Sequence, residues 1–469
     1  MRISKTQTAL LIACLVYAAM LKWSYSRVEG VVGFPGMTTR DVPVVYSLFG
    51  FVVIGWVAAF VLPRRATRPS HVALWVLFLT WFVPCLLLTY HVGRLPPDVI
   101  FRFVLGITGA FLILTLLCRG RPLTPPRLRI EHTAFAIGLA AVTLPLTVAV
   151  FIVARQTSLD PTTSLFDLTL VLARRLEARS VMADHVLLGY GMATLGSSLA
   201  PICLAYGFLT RRHVFTALGA AGLLSLFVMD GTKSNIFLPV MLTGFMVLAE
   251  RPGRSFGLAL ALGLTALVAG SMYMWLAQGN LWLSALLVRR MIVAKAMTMG
   301  AYFETFRGAP VYMKDTSLVN LFGMRPAVDK SNLVGEVFGA GIEENWNGST
   351  WAEMYGDFGM PGLLIASVVM ALILRCYDGT TKRAPFPLVC AMAGYGAYVW
   401  GETAVTTSIL TYGVLATLVL LSHYGQPRID EAGTMANATA TAQTRAPSIE
   451  AGPEMLAGEV GAALGRPGG

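Results

Sequence analysis

The chain has 469 residues, of which 55% are hydrophobic and only 13% charged, with a mean hydropathy of +0.66. That balance excludes a soluble globular enzyme and indicates an all-α, polytopic integral membrane protein. The formal charge of +11 does not point to nucleic acid, because the basic residues are scattered over short loops rather than gathered on one soluble face.

Apolar runs of about 17 to 24 residues recur from end to end, each long enough for a hydrocarbon core of roughly 30 Å. The first, Thr8 to about Leu21, follows Arg2 and Lys5 as a signal peptide would, but no small-residue cleavage site comes after it, so it is expected to remain as a span. Further spans are predicted at about 44–62, 72–90, 99–118, 133–153, 186–209, 214–229, 235–249, 256–277, 354–374, 386–403 and 407–423, twelve in all. Alternate loops are basic: Arg64, Arg65 and Arg68; Arg119, Arg121, Arg127 and Arg129; Arg211 and Arg212; Arg251 and Arg254; Arg375, Lys382 and Arg383. Because Lys and Arg are retained on the cytoplasmic side, both termini are expected inside, within a transmembrane domain of residues 1–425. The larger loops, about 154–185 and 278–353, then lie outside. Residues 426–469 are rich in Ala, Gly, Thr and Pro with few aromatics, and read as a disordered cytoplasmic tail. Six cysteines without a CxxC pair imply neither disulfides nor a thiolate metal site.

The first external loop carries Leu165, Leu168, Leu172 and Leu176 at the spacing of one helix face, with Arg174, Arg175 and Arg179 beside them. A helix lying in the interface fits, its cations facing either lipid phosphates or a substrate. At Asp230-Gly231-Thr232-Lys233-Ser234, Thr232 or Ser234 can cap the next helix, so that unpaired N–H groups and the Lys233 ammonium converge where a phosphate would sit. Equally, Lys233 can snorkel and pair with Asp230. The long loop opens with Arg289 and Arg290, whose guanidinium forks suit phosphate oxygens but which can also serve as stop signals at a helix end. Glu304, Glu336, Glu343, Glu344 and Glu353 supply carboxylates able to take a proton from a hydroxyl. Asp357 falls at the start of the next predicted span, where an acid favours the helix dipole without any chemistry, while Gly359, Pro361 and Gly362 imply a helix start and close packing.

Three blocks together resemble the Wzy-type O-antigen and oligosaccharide repeat-unit polymerases. They are the Gly231-Thr232-Lys233-Ser234 turn, the stretch from Arg290 to Phe306 with Tyr302-Phe303, and Thr350-x-x-Glu353-x-Tyr355-x-x-Phe358-Gly359-x-x-Gly362, the most distinctive. The likeness covers about Arg174 to Leu374, and Lys233 stands where relatives more often have Arg. The resemblance implies a metal-independent membrane glycosyltransferase of the bacterial inner membrane, without cofactor, working on its outer face. It would move a growing glycan from polyprenyl diphosphate onto the next lipid-linked repeat unit, building O-antigen, capsule or exopolysaccharide. While Arg175 in the first external loop stands as a candidate substrate contact from its residues alone, by the same resemblance Arg289, Arg290 and Lys233 hold the donor diphosphate and stabilise it as leaving group. Glu353 or Glu304 acts as base, and Trp346, Trp351, Tyr302 and Tyr355 stack on sugar faces. A flippase and a chain-length regulator are the partners it suggests. The absence of a DxD pair or His cluster agrees with a lipid rather than a nucleotide donor. An O-antigen ligase would share the donor but usually depends on a histidine in the long loop, which has none here. A transporter of polysaccharide or lipid-linked sugar would show matching halves and mid-membrane charges, and no such repeat is visible.

Overall fold

The computed structural model of the chain describes residues 4–32, 41–126, 130–155, 177–178, 186–232, 234–250, 255–313, 329–338 and 346–424. The fold is all-helical, with no β-strand among the described residues. In chain order the helices are α1 (Lys5–Val32), α2 (Val44–Val61), α3 (Pro69–His91), α4 (Pro97–Cys118), α5 (His132–Ala154), α6 (Leu188–Thr210), α7 (His213–Asp230), α8 (Ser234–Glu250), α9 (Phe256–Gln278), α10 (residues 284–306), α11 (Lys330–Val337), α12 (Thr350–Phe358), α13 (Met360–Thr380), α14 (Phe386–Trp400) and α15 (Val405–Ser422).

Ten of these, α1 to α7, α9, α13 and α15, are long and apolar enough to cross a membrane, so this is a multi-pass membrane protein. The other two predicted spans, 235–249 and 386–403, are α8 and α14, helices of 17 and 15 residues. At 1.5 Å per residue they reach roughly 25 and 22 Å, short of the hydrocarbon thickness when taken alone. Outward-facing side chains are apolar: on α2, Val44, Leu48 and Val52 recur every four residues and are exposed. In water that stripe would be costly, whereas against lipid tails it is neutral, and backbone hydrogen bonding inside each helix satisfies the polar groups.

The centre of the body is α3, an 18-residue stretch of which is wholly buried. It packs on α14, α10, α13 and α1, and α4 lies along α13, α9 along α1, and α7 between α5 and α6. The residue before α3, Arg68, supplies no side-chain cap. Asp378 of α13 does so instead: its carboxylate accepts from Ser70 N and Ser70 Oγ, both at 2.8 Å.

Two sequence expectations are corrected by this arrangement. The predicted span 354–374 is two helices, because Gly359 (φ +63°, ψ −144°) breaks the chain between α12 and α13 in a conformation open essentially only to glycine. Pro361 then sits in the first turn of α13 and Gly362 lies against the Met354 carbonyl. The second correction concerns the long loop, which is not a polar excursion over the surface. Gly279 (φ +65°) ends α9, and after Asn280 the chain turns back into the body as α10, of which Ile292 to Phe303 are all buried. The expected interfacial helix with Arg175, the Lys233 side chain, Glu343, Glu344 and the tail 426–469 lie outside the described residues.

Candidate functional site

The site is organised along α10. Its first ten residues, Ser284–Val293, are π-helical and carry Arg289, half-buried, and Arg290, exposed. π turns are uncommon and recur at functional positions because they re-aim the side chains that follow. The α-helical remainder, Ala294–Phe306, carries Lys295 and Tyr302, seven residues apart. Seven residues make two turns, so both point to one face about 10 Å apart.

Around Lys295, α14 contributes the surroundings. The ammonium stands 3.9 Å above the Tyr398 ring and donates to the Tyr398 carbonyl at 3.3 Å. Gly401 allows this approach, since a Cβ there would lie 2.7 Å from Lys295 Nζ. Tyr398 Oη donates to Glu402 Oε1 at 2.9 Å. Burial pushes the Lys295 ammonium down from 10.5 to about 8, while the Glu402 carboxylate pulls it up and the Arg290 guanidinium lowers it further. Arg290, Lys295 and Glu402 therefore share one electrostatic neighbourhood.

Two turns further along, Tyr302 meets α12. Ser349 caps α12 by accepting from Ala352 N at 3.1 Å, and Thr350 Oγ1 donates to the Thr403 carbonyl at 2.8 Å, tying this end of α12 to the residue after Glu402. In the first turn Glu353 receives Tyr302 Oη (2.5 Å) and Gly348 N (3.1 Å) on Oε1, and faces Lys330 Nζ through Oε2 at 3.2 Å. Lys330 also pairs with Asp357 Oδ1 at 2.8 Å and donates to the Glu353 carbonyl oxygen at 3.2 Å. Burial raises the Glu353 carboxyl above the ordinary value, opposed by Lys330, Tyr302 and Gly348 N. Gly348 is required because a Cβ would stand 2.8 Å from Ala352 Cβ and 3.0 Å from the Tyr302 ring. Asp357 additionally accepts from Met313 N at 2.9 Å, while Tyr312 N reaches the Asp357 carbonyl at 3.0 Å. Tyr312 and Met313 hold positive φ (53° and 60°), an uncommon backbone for such side chains, pinned here by these bonds.

Of the residues expected in the site, the structure brings Tyr302 and Glu353 into direct contact, with Arg289 and Arg290 at the start of the same helix. Glu304 lies two residues beyond Tyr302 and hence on nearly the opposite face. There it accepts from Arg94 N at 3.0 and 3.4 Å and closes the α3–α4 turn at Gly93 (φ +66°). The stacking role expected for Trp351, Tyr355 and Trp346 is corrected, because protein encloses each ring. Trp351 stacks on Trp81 at 3.9 Å and donates to Ser367 Oγ at 2.9 Å; Tyr355 lies edge-on to Phe103 and Phe303; Trp346 stacks on Phe338. Tyr302 is fully buried as well. Glu336 is exposed on α11, apart from these contacts.

Three participants are new: Lys330, which joins Glu353 to Asp357, and Lys295 and Glu402, which form the second cluster. Asp357, expected at a helix start, instead lies in the last turn of α12, because the helix begins at Thr350 and ends at Phe358. Glu402 had a readable signal: it is the sole Asp, Glu, Lys or Arg in residues 386–403, and a charged group inside an apolar run marks function by default. Among the described residues, no group of three His, Cys, Asp or Glu side chains is placed to hold a metal ion. Compared with protein-family models, curated proteins and solved structures, the chain matches none.

Proposed function

We propose that the protein is a membrane glycosyltransferase that polymerises polyprenyl-diphosphate-linked oligosaccharide repeat units on the outer face of the bacterial inner membrane. One observation carries this reading. A seam of charged and hydroxyl groups (Arg290, Lys295, Glu402, Tyr302, Glu353, Lys330 and Asp357) runs along α10 inside an otherwise apolar helical body. Ionisable groups are expensive in such surroundings and persist where they meet a polar substrate. Two of the three blocks that resemble the repeat-unit polymerases, Arg290 to Phe306 and Thr350 to Gly362, supply much of that seam. By this reading Arg289 and Arg290, at the open end, hold the donor diphosphate and stabilise it as the leaving group. The acceptor sugar enters against the Lys295–Glu402 cluster. Glu353 has both oxygens engaged, and its part is to hold α10, α11 and α12 together around that cleft.

The full topology belongs to the same proposal: twelve crossings, α8 and α14 included, with both termini cytoplasmic. Deleting the gene and resolving the surface polysaccharide on a gel tests the activity. Lipid A bearing single repeats supports a polymerase, lipid A without any repeat indicates a ligase instead, and an unchanged ladder removes the reading.

A further inference from the structure

We infer that Glu402 is the carboxylate that takes the proton from the acceptor hydroxyl, with Tyr398 and Lys295 setting its position and charge; this rests on the glycosyl-transfer reading above. The four carboxylates near α10 differ in what they have free. Asp357 is buried, with its Oδ1 taken by Lys330 Nζ and Met313 N. Glu353 Oε1 is filled by Tyr302 and Gly348 N, its Oε2 faces Lys330, and its side chain is 11% exposed. Glu304 spends its carboxylate on the Arg94 amide and lies on the other face of α10. Glu402 is half-buried, its Oε1 accepts from Tyr398 Oη, and its Oε2 has no hydrogen bond among the described residues. A base needs an open lone pair within reach of substrate, and of these four Glu402 is the one that combines an oxygen without a hydrogen bond among the described residues with partial exposure.

Its backbone is fixed as a reacting group requires. Glu402 N donates to Val399 O at 2.8 Å, Thr403 Oγ1 to Val399 O at 3.1 Å, and Thr350 Oγ1 to Thr403 O at 2.8 Å. The groups in its electrostatic surroundings are Lys295 from α10 and Tyr395 and Tyr398 from α14, with Arg290 acting on Lys295 and Tyr398 and Tyr412 on Tyr395. Arg290 acts on the same Lys295 and Tyr398 as Glu402 does, which puts the leaving-group cation and the base in one electrostatic neighbourhood. In the step, the acceptor hydroxyl passes its proton to Glu402 Oε2 as its oxygen bonds to the donor's anomeric carbon. The bond from that carbon to the diphosphate oxygen breaks, its electron pair leaves with polyprenyl diphosphate beside Arg290, and Glu402 later releases the proton to water.

The test uses the full-length protein in lipid bilayers with lipid-linked repeat unit extracted from the deletion strain. If the wild-type protein makes no polymer, the glycosyl-transfer reading fails, whatever Glu402 does. Given turnover, Glu402→Gln is expected to lose about 10²-fold or more in kcat with KM within about twofold. Glu402→Asp should recover part of that loss, and Tyr398→Phe should lower kcat less while moving the acidic limb of the pH profile. Wild-type kcat in Glu402→Gln overturns the proposal. Should Glu402→Gln fail to accumulate, carbodiimide labelling of the wild-type protein decides: Glu402 modified, and shielded by the lipid-linked repeat unit, supports the assignment, and a Glu402 that is unmodified or unshielded overturns it.

Discussion

Replacing Lys330 by Met tests whether the buried network holds the site together. Lys330 lies 2.8 Å from Asp357 and 3.2 Å from Glu353, with side-chain exposures of 3%, 4% and 11%. Removing the one cation leaves two carboxylates in low-dielectric surroundings, and breaking a buried pair by deleting one partner costs about 3 to 5 kcal/mol. The pH dependence gives the mechanism away. Without Lys330 the folded carboxyl groups bind protons more tightly than in the unfolded chain, so the loss grows as pH rises through and above the ordinary carboxylate range of about 4. Towards lower pH the wild-type protein forfeits the same pair, and the difference narrows. Thermal unfolding of the purified proteins in bilayers at several pH values reads this out, and adding Glu353→Gln and Asp357→Asn to Lys330→Met should restore much of the loss. A Lys330→Met protein as stable as wild type at neutral pH, or a deficit that does not change with pH, would refute the account.

Other expectations are as direct. The Arg289→Ala/Arg290→Ala double variant should accumulate normally yet lose polymer, about ten- to a hundredfold in rate for each charge-assisted bond removed, and normal polymer from it would take both residues out of the donor site. Glu353→Gln keeps the shape and the Tyr302 bond, so turnover should fall less than about tenfold; loss on the scale of a missing base, about 10²-fold or more in a folded protein, would return that role to Glu353. Lys295→Met should unfold no sooner than wild type at pH 7. A folded value of about 8 against 10.5 means that burying the ammonium costs about 3 kcal/mol, fully present below pH 8 and relieved as pH rises from there to 10.5. A midpoint lower by more than about 5 °C would show that Lys295 is chiefly structural. Gly362→Ala sets a methyl against the Met354 carbonyl, a backbone atom that cannot step aside, and should cost about 3 kcal/mol, visible as reduced accumulation in the membrane.

All twelve predicted apolar segments are largely helical, with breaks at Gly359 and between Leu410 and Val414, because length and hydropathy are local properties that lipid rewards directly. Glu353 was legible as a residue of interest through its place between Trp351 and Tyr355 at the edge of an apolar run. What it touches was not: Lys330 is 23 positions earlier and Tyr302 is 51, and pairing across such separations leaves no local pattern. The buried course of α10 was hidden by its composition, since Lys295, Thr298 and Glu304 read as solvated, yet Lys295 finds a partner on α14, Thr298 donates to the Lys295 carbonyl within α10, and Glu304 accepts from Arg94 N in the turn after α3. The division of 354–374 at Gly359 was masked because apolar residues continue on both sides of the break.

The cap on α3 bears on how the protein is made. Ser70 and Asp378 are 308 positions apart, so the central helix waits for its cap until nearly the whole membrane body has been synthesised, about 15 to 60 s at ordinary elongation rates. Through that interval the Ser70 N–H lacks the carboxylate that accepts from it, and Arg68 offers no side chain in its place, while His71 N already donates to the Arg68 carbonyl at 3.0 Å. A chain that ends before Asp378 therefore lacks this cap however well the preceding helices have inserted.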